Sequence, residues 1–290
     1  MEFLSKAVPV TMLVFVVSSM LAVGLSLTVT QILVPLRNLR LVSLALLANF
    51  VLMPLLALAI AKVLRLDEPL SVALLLLGAA AGAPFLPKLA GIAKSNLAFA
   101  VGLMVLLMVL TVGYMPLVLP LLLKGVSVDP TKIARSLVFL MLLPLIAGLA
   151  VKGRYDRLAT RLVPLLNRIS TLSLGIMILL MLATNIRNIL GLYGSRGVLA
   201  SVLFLIVGFG MGWVLGGPGF DTKGVLALGT AQRNIAAALV VGGQNFSDPT
   251  VVVMVAVVAI VGLLVLIPLA RAAAKRNPHA AQNSARSTAA

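Results

Sequence analysis

Apolar runs close to twenty residues long alternate with short polar segments along most of the chain. A helix needs about 20 apolar residues to cross the hydrocarbon core of a bilayer, so this alternation predicts an all-α polytopic membrane protein. We expect about nine transmembrane helices in one domain over residues 1–271. Their approximate limits are 8–28, 41–63, 70–92, 95–123, 135–152, 165–186, 196–216, 222–243 and 249–271.

The two ends of the chain differ in pattern. The first apolar run follows Lys6 and has no convincing small-residue cleavage site, so it is predicted to be a retained span rather than a signal peptide. Residues 272–290 mix Ala, Ser, Asn, Lys and Arg without apolar periodicity, which predicts a disordered tail. The long fourth run contains Pro116 and Pro120 and is expected to bend or tilt.

Composition supports the membrane assignment and limits the partners. Hydrophobic residues make up 61% of the chain, and the mean hydropathy is +1.18. The net charge of +16 comes mostly from Lys and Arg between the apolar runs, so the expected partner is the lipid bilayer and not nucleic acid. Placing the N-terminus outside puts most of these cations in the inner segments, which predicts a multi-pass inner- or plasma-membrane protein with a cytoplasmic C-terminus.

Several kinds of chemistry are disfavoured. The chain has no cysteine, and His279, its single histidine, lies in the polar tail. The sequence contains no nucleotide-binding Gly-rich loop, no metal-ligand cluster and no acid–base pair within the apolar runs. We therefore expect no enzyme activity, no catalytic residues, no metal site and no organic cofactor.

The third and eighth apolar runs are interrupted. The third contains Gly78, Gly82, Pro84, Pro87 and Lys88. Gly and Pro alone are ordinary in membrane helices and could mark a simple kink. Interruptions at corresponding places of two halves, however, are typical of the binding site in transporters built from inverted repeats.

The eighth run has a polar centre, Gly229-Thr230-Ala231-Gln232-Arg233-Asn234, between apolar residues on both sides. A permanent cation at this depth is costly and normally faces a cavity or a partner. None of the other apolar runs contains Asp or Glu, so Arg233 has no carboxylate from another span to pair with. An anionic substrate is therefore the expected partner of Arg233.

Four segments, in order along the chain, resemble the bile acid:sodium symporter family. They are Met20 to Thr28 with its Gly-Leu-Ser-Leu sequence, Asn49-Phe50-Val51-Leu52-Met53-Pro54, Asn96 to Val101, and Gln232-Arg233-Asn234 followed by Ala236 to Leu239. The resemblance implies a panel domain and a core domain. It also implies two broken helices that cross near the membrane midplane, here the third and eighth spans, and a nine-span form that lacks the first helix of the ten-helix form.

The resemblance also implies sodium sites, from which this sequence departs. A Ser-Asn pair is replaced by Pro84-Phe85-Leu86-Pro87-Lys88, a Glu by Leu228 or Gly229, and a Gln by the shorter Asn49. The remaining candidate ion ligands are Asn49, Thr230, Gln232 and Asn234. A site with a guanidinium and no carboxylate should bind sodium poorly, because like charges about 4 Å apart repel by roughly 4 kcal/mol at an effective dielectric of 20.

The candidate substrate-binding residues share the interrupted spans or face them. They are Arg233, Asn234, Gln232, Thr230, Asn49 and Lys88. We hypothesise that Arg233, together with Lys88, replaces sodium as the fixed positive charge at the crossing and binds a carboxylate bidentately. The alternative is that Arg233 bonds carbonyls at the C-terminal ends of the half-helices and holds the crossing open.

These features predict a secondary transporter of small organic anions that works by alternating access, with little or no sodium dependence. The alternatives are a non-transporting membrane sensor or scaffold on the same fold and a channel-like facilitator. Bile-acid-like steroids, keto acids, pantoate-like metabolites and oxyanions all fit as solutes. The sequence leaves the driving ion, the direction of transport and the oligomeric state open.

Overall fold

The computed structural model describes residues 2–123, 129–194 and 196–276, and in these ranges the chain forms helices without strands. The helices up to residue 123 are α1 (Glu2–Ser26), α2 (Val29–Leu33), α3 (Leu39–Leu47), α4 (Met53–Val63), α5 (Glu68–Ala79), α6 (Leu86–Ile92) and α7 (Leu97–Leu122). Those after it are α8 (Pro130–Leu137), α9 (Leu143–Arg154), α10 (Asp156–Gly194), α11 (Gly197–Leu215), α12 (Phe220–Ala231), α13 (Ile235–Asn245) and α14 (Pro249–Lys275). A 3-10 turn, Val34–Arg37, follows α2.

The predicted spans are found as helices. In the described residues, eight helical segments are long and apolar enough to cross a membrane. Two of them contain a π-helical segment: Ala48–Leu52 joins α3 to α4, and Val138–Leu142 joins α8 to α9. The remaining predicted span, 70–92, is the pair α5 and α6. The fold is therefore an all-α polytopic membrane protein, as the apolar runs predict.

Several predicted span limits differ from the structure by four or more residues, and two of them have a clear cause. α10 begins at Asp156 rather than near residue 165, because the stretch between carries enough apolar residues to continue the helix while Arg157 and Arg161 stay exposed. α14 runs to Lys275, past the predicted end at 271, on a series of helix-favouring alanines. The rest of the predicted tail, residues 277–290, lies outside the described residues.

Helix starts follow from short polar residues in front of the apolar runs. The side-chain oxygens of Asn96, Asp129 and Asp248 accept hydrogen bonds from the first backbone amides of α7, α8 and α14, at 2.9, 2.9 and 2.8 Å. Each cap satisfies an amide that has no partner within its own helix.

Helix contacts divide the molecule into two groups. α1 packs along α9 and α10, and these helices form what we call the panel, together with α8, which continues into α9 and also packs on α7 and α13. α3 to α7 and α11 to α14 pack on one another and form what we call the core. Within the panel, Gly24 and Gly148 bring two backbones together, since a Cβ added to Gly24 would lie 2.9 Å from the Cα of Gly148.

The element order repeats along the chain. The first half contains a long helix (α1), an unbroken span (α3–α4), a broken span (α5/α6) and a second long helix (α7). The second half repeats this order as α10, α11, α12/α13 and α14. An odd number of membrane crossings separates each element from its counterpart, so counterparts cross in opposite directions. This order fits an inverted repeat with one additional span, α8–α9, between the halves.

Candidate functional site

The third span breaks between α5 and α6. α5 ends at Ala79, residues 80–85 are not helical, and α6 begins at Leu86 with Pro87 in its first turn. Gly82 has a φ of +77°, and a Cβ there would lie 2.2 Å from the backbone nitrogen of Met108 on α7. Only glycine fits this position, both for its conformation and for the lack of space.

The eighth span breaks at Gln232 and Arg233, and Asn234 ties this break to the first one. Its side-chain oxygen accepts a bond of 3.1 Å from Ala237, which caps α13. Its backbone N–H donates to the carbonyl of Ala80 at 2.9 Å, and its side-chain amide donates to the carbonyl of Gly82 at 3.1 Å. Because α5 also packs on α13 and α6 on α12, the two broken spans lie side by side and cross at their breaks.

Arg233 is buried at this crossing, with 2% of its surface exposed. Nε donates to the carbonyl of Leu77 at 2.8 Å, and Nη2 donates to the carbonyl of Gly78 at 2.8 Å. Nη1 donates to the side-chain oxygen of Asn49 at 2.7 Å and to the carbonyl of Thr230 at 3.1 Å. A longer bond of 3.4 Å joins Nη2 to the carbonyl of Asn49. Every N–H of the guanidinium therefore has a protein acceptor.

The surroundings of Arg233 compensate its charge without a carboxylate. It is the one charged residue among the buried side chains that the structure describes. Its acceptors Leu77, Gly78 and Thr230 belong to the last turns of α5 and α12, where helix carbonyls carry partial negative charge. Burying an ion costs several kcal/mol, and hydrogen bonds to a charged group return about 1.5–3 kcal/mol each, so a set of five can offset that cost.

Pro54 explains why two acceptors on the second span are available. Proline has no N–H, so Pro54 cannot donate to the carbonyl of Asn49, which would be its π-helical partner, or to the carbonyl of Phe50, which would be its α-helical partner. The first accepts from Arg233, and the second accepts from the hydroxyl of Tyr114 on α7. The ring of Tyr114 also packs on that of Phe50, with 4.7 Å between centroids.

Thr111, also on α7, satisfies the backbone of the first break. Its hydroxyl oxygen accepts from the N–H of Ala81 at 3.0 Å, and the hydroxyl donates to the carbonyl of the same residue at 3.1 Å. Thr111 and Tyr114 are not among the site residues predicted from the sequence. The signal that could have identified them is their spacing of three residues, which puts two polar side chains on one face of an otherwise apolar span.

The structure brings most of the predicted site residues together. Arg233, Asn234, Thr230 and Asn49 are all buried at the crossing, where the side-chain amide of Asn49 also lies 3.5 Å from the hydroxyl oxygen of Thr230. Gln232 lies beside them, and its buried side-chain oxygen has no hydrogen-bond partner within the described part of the chain.

Lys88 lies outside this cluster. Its side chain is exposed, and its ammonium is 5.3 Å from the ring centroid of Phe85. It therefore does not share the crossing with Arg233. The predicted bidentate contact of Arg233 with a substrate also meets an obstacle, since a carboxylate would have to displace acceptors that the guanidinium already has. The geometry corresponds to the alternative interpretation, in which Arg233 bonds the half-helix carbonyls.

A small cavity adjoins the crossing. Gln232, Arg233, Phe85 and Leu89 line one side, and apolar residues of α11 and α14 line the other. It leaves about 30 Å³ for water-sized molecules, which corresponds to about one water. The core is thus closed around Arg233 in this conformation.

Comparison with protein-family models gives a match to the Sodium Bile acid symporter family over residues 11–192, well over half of the chain. The chain belongs to this family. In this member, α11 to α14 lie beyond the matched residues, and with them Arg233 and the second break. No curated protein matches the chain. Membership makes the protein a multi-pass membrane protein of a solute-transporter family, and it agrees with the resemblance seen in the sequence.

Proposed function

We propose that this protein is a secondary transporter that carries small organic anions across the membrane by alternating access. The observation that supports this most directly is the crossing of two broken spans, joined by Asn234 and Arg233, inside a member of a symporter family. Backbone without helical bonds is costly at membrane depth and is tolerated where protein or a water-filled cavity surrounds it. A purely structural bundle has no need for two such breaks.

Charge favours an anion over a cation as the solute. The buried charge at the crossing is positive, and no buried carboxylate accompanies it in the described residues. A cationic solute would be repelled by Arg233, by roughly 4 kcal/mol at about 4 Å and an effective dielectric of 20. An anion would gain from the same field without touching the guanidinium, because a charge acts through space as well as by hydrogen bonding.

The residues next to the crossing fit an anion with an apolar body. Gln232 offers a side-chain amide, while Phe85, Leu89 and the α14 residues offer apolar surface. A cavity that holds about one water is too small for an organic solute, so binding requires the helices that line it, all of them in the core, to move. This requirement is the basis for proposing alternating access.

The proposed orientation has the N-terminus outside and the C-terminus in the cytoplasm of the inner or plasma membrane. It places the basic segment Lys152–Arg168 on the cytoplasmic side, in agreement with the bias of Lys and Arg toward that side. Proteolysis or thiol labelling of single cysteines introduced near each terminus of the cysteine-free chain would determine this orientation.

Uptake into liposomes tests the function. Purified protein is reconstituted, and a panel of radiolabelled carboxylates that includes bile acids, keto acids and pantoate is offered on one side. A transporter gives saturable uptake and accelerated exchange when unlabelled solute is present inside. Uptake that rises linearly with solute indicates a channel-like facilitator. Ligand-induced thermal stabilisation without any flux indicates a sensor or scaffold, and either result contradicts the proposal.

A further inference from the structure

We infer that the guanidinium of Arg233 is a built-in cation that takes the place of a diffusible sodium ion at the crossing, so that anion uptake by this protein does not require sodium. The inference rests on the proposed function for its transport consequence. The other half of the inference, that Arg233 itself occupies the cation site, depends only on the contacts of Arg233. Binding and melting measurements on the purified protein can test it.

The predicted ion ligands do not fit sodium. The side-chain oxygen of Asn49 accepts from Arg233, and that of Asn234 caps α13. The hydroxyl oxygen of Thr230 lies next to the side-chain amide of Asn49. Of these four candidate ligands, only Gln232 keeps a buried side-chain oxygen without a hydrogen-bond partner in the described residues. A hard cation needs several oxygen ligands, and one is not enough.

The oxygens around Arg233 nevertheless form a site for a cation. Three backbone carbonyls, those of Leu77, Gly78 and Thr230, and both oxygens of Asn49 converge on one guanidinium from three different spans. Two of these spans contribute the C-terminal ends of half-helices, whose partial negative charges add at the crossing. Without a cation these ends would face one another with their carbonyls unpaired.

A tethered cation differs from a diffusible one in its thermodynamics. A bound ion stabilises the folded state by an amount that depends on its concentration, whereas a covalently attached group is always present. The same tether prevents the ion from being released with the solute. Such a site can therefore hold the crossing together but cannot couple solute movement to a sodium gradient.

Wild-type protein provides the first test. We expect no saturable binding of ²²Na⁺ to purified protein, and the same melting temperature in NaCl and KCl at equal ionic strength. Uptake of whichever carboxylate is transported should be equal, within about twofold, when sodium is replaced by potassium or choline. Saturable ²²Na⁺ binding, or uptake that fails without sodium, would overturn the inference.

Substitution of Arg233 provides the second test. Arg233→Ala leaves the converging oxygens without their cation, so the variant should melt at a lower temperature in KCl. Guanidinium at low-millimolar concentration should restore about half or more of the loss, as expected for a ligand that binds only the folded state. Arg168→Ala, which removes an exposed arginine, should show neither the loss nor the rescue. Arg233→Lys keeps the charge and should remain sodium-independent.

The outcomes separate this inference from the proposed function. If no carboxylate is transported under any ionic condition, the proposed function fails, while sodium binding and guanidinium rescue still decide the role of Arg233. If Arg233→Ala folds and guanidinium has no effect on its melting temperature, the built-in cation is excluded. If that variant does not fold, the wild-type sodium measurement decides.

Discussion

At the scale of single residues, the crossing is a set of backbone N–H and carbonyl groups that form hydrogen bonds with side chains of distant spans. Arg233, Asn234 and Thr111 supply these partners, and all three are buried. Hydrogen bonds between membrane helices contribute modestly, about 0.6–2 kcal/mol. Leaving a buried group unpaired is more costly, because no water is available to replace the lost bond.

Thr111→Val tests this account at a residue with no charge. The substitution keeps the shape of the side chain but leaves the N–H and carbonyl of Ala81 unpaired, so we expect a loss of about 1–3 kcal/mol of stability. Thr111→Ser keeps the hydroxyl and should retain most of the stability. Thermal unfolding in detergent compares the two. Equal melting temperatures for Val and Ser would show that the hydroxyl contributes nothing to the first break.

The sequence predicts the location of the charged residue and of the breaks, but leaves open whether Arg233 bonds a substrate or the half-helix carbonyls. Arg233 is recognisable because an Arg within an apolar run is rare, and Gly82 with Pro84 identifies the first break for similar reasons. Two acceptors of Arg233, the backbone carbonyls of Leu77 and Gly78, lie more than 150 positions away in the chain, and a carbonyl has no sequence signature. The exposed position of Lys88, one turn from the break, could not be predicted from its place in the apolar run either.

At the scale of elements, glycine positions determine how closely helices approach. A Cβ added to Gly148 on α9 would lie 2.7 Å from the carbonyl oxygen of Leu21 on α1. Gly153, on the same helix, has no atom within 4 Å of the equivalent position. The two glycines therefore provide a matched pair, with the same residue type and helix but different surroundings.

We expect Gly148→Ala to destabilise the panel and Gly153→Ala to leave it unchanged or slightly stabilised. The first substitution pushes two backbones apart, at a cost of about 1–3 kcal/mol for overpacking. The second adds helix propensity without a clash. Melting temperature and the fraction of monodisperse protein on size exclusion report the difference. A Gly148→Ala variant as stable as Gly153→Ala would contradict the close approach of α1 and α9.

At the scale of the whole molecule, the panel and the core meet where α8 packs on α7 and α13, α10 packs on α11 and α14, and α1 packs on α13. In the last of these contacts, a Cβ added to Gly243 would lie 3.2 Å from the sulfur of Met12. If transport requires the core to move against the panel, a bond across this contact should prevent it.

The absence of cysteine from the chain makes this test direct. In the double variant Met12→Cys, Gly243→Cys, a short cleavable thiol cross-linker should reduce carboxylate uptake to background, and cleavage of the linker should restore it. Each single variant treated with the same reagent controls for modification alone. Full uptake by the cross-linked protein would exclude movement between α1 and α13 during transport.

Pro54 contributes to the crossing because it has no amide hydrogen. Any other amino acid at that position would bring an amide hydrogen into the second span, where the carbonyl oxygens of Asn49 and Phe50 are its natural acceptors. The new N–H would then bond one of these two oxygens, which now accept from Arg233 and Tyr114. The substitution Pro54→Ala would therefore weaken the hydrogen bonding of the buried guanidinium, although it lies on a different helix, because the new N–H competes with Arg233 for a carbonyl oxygen.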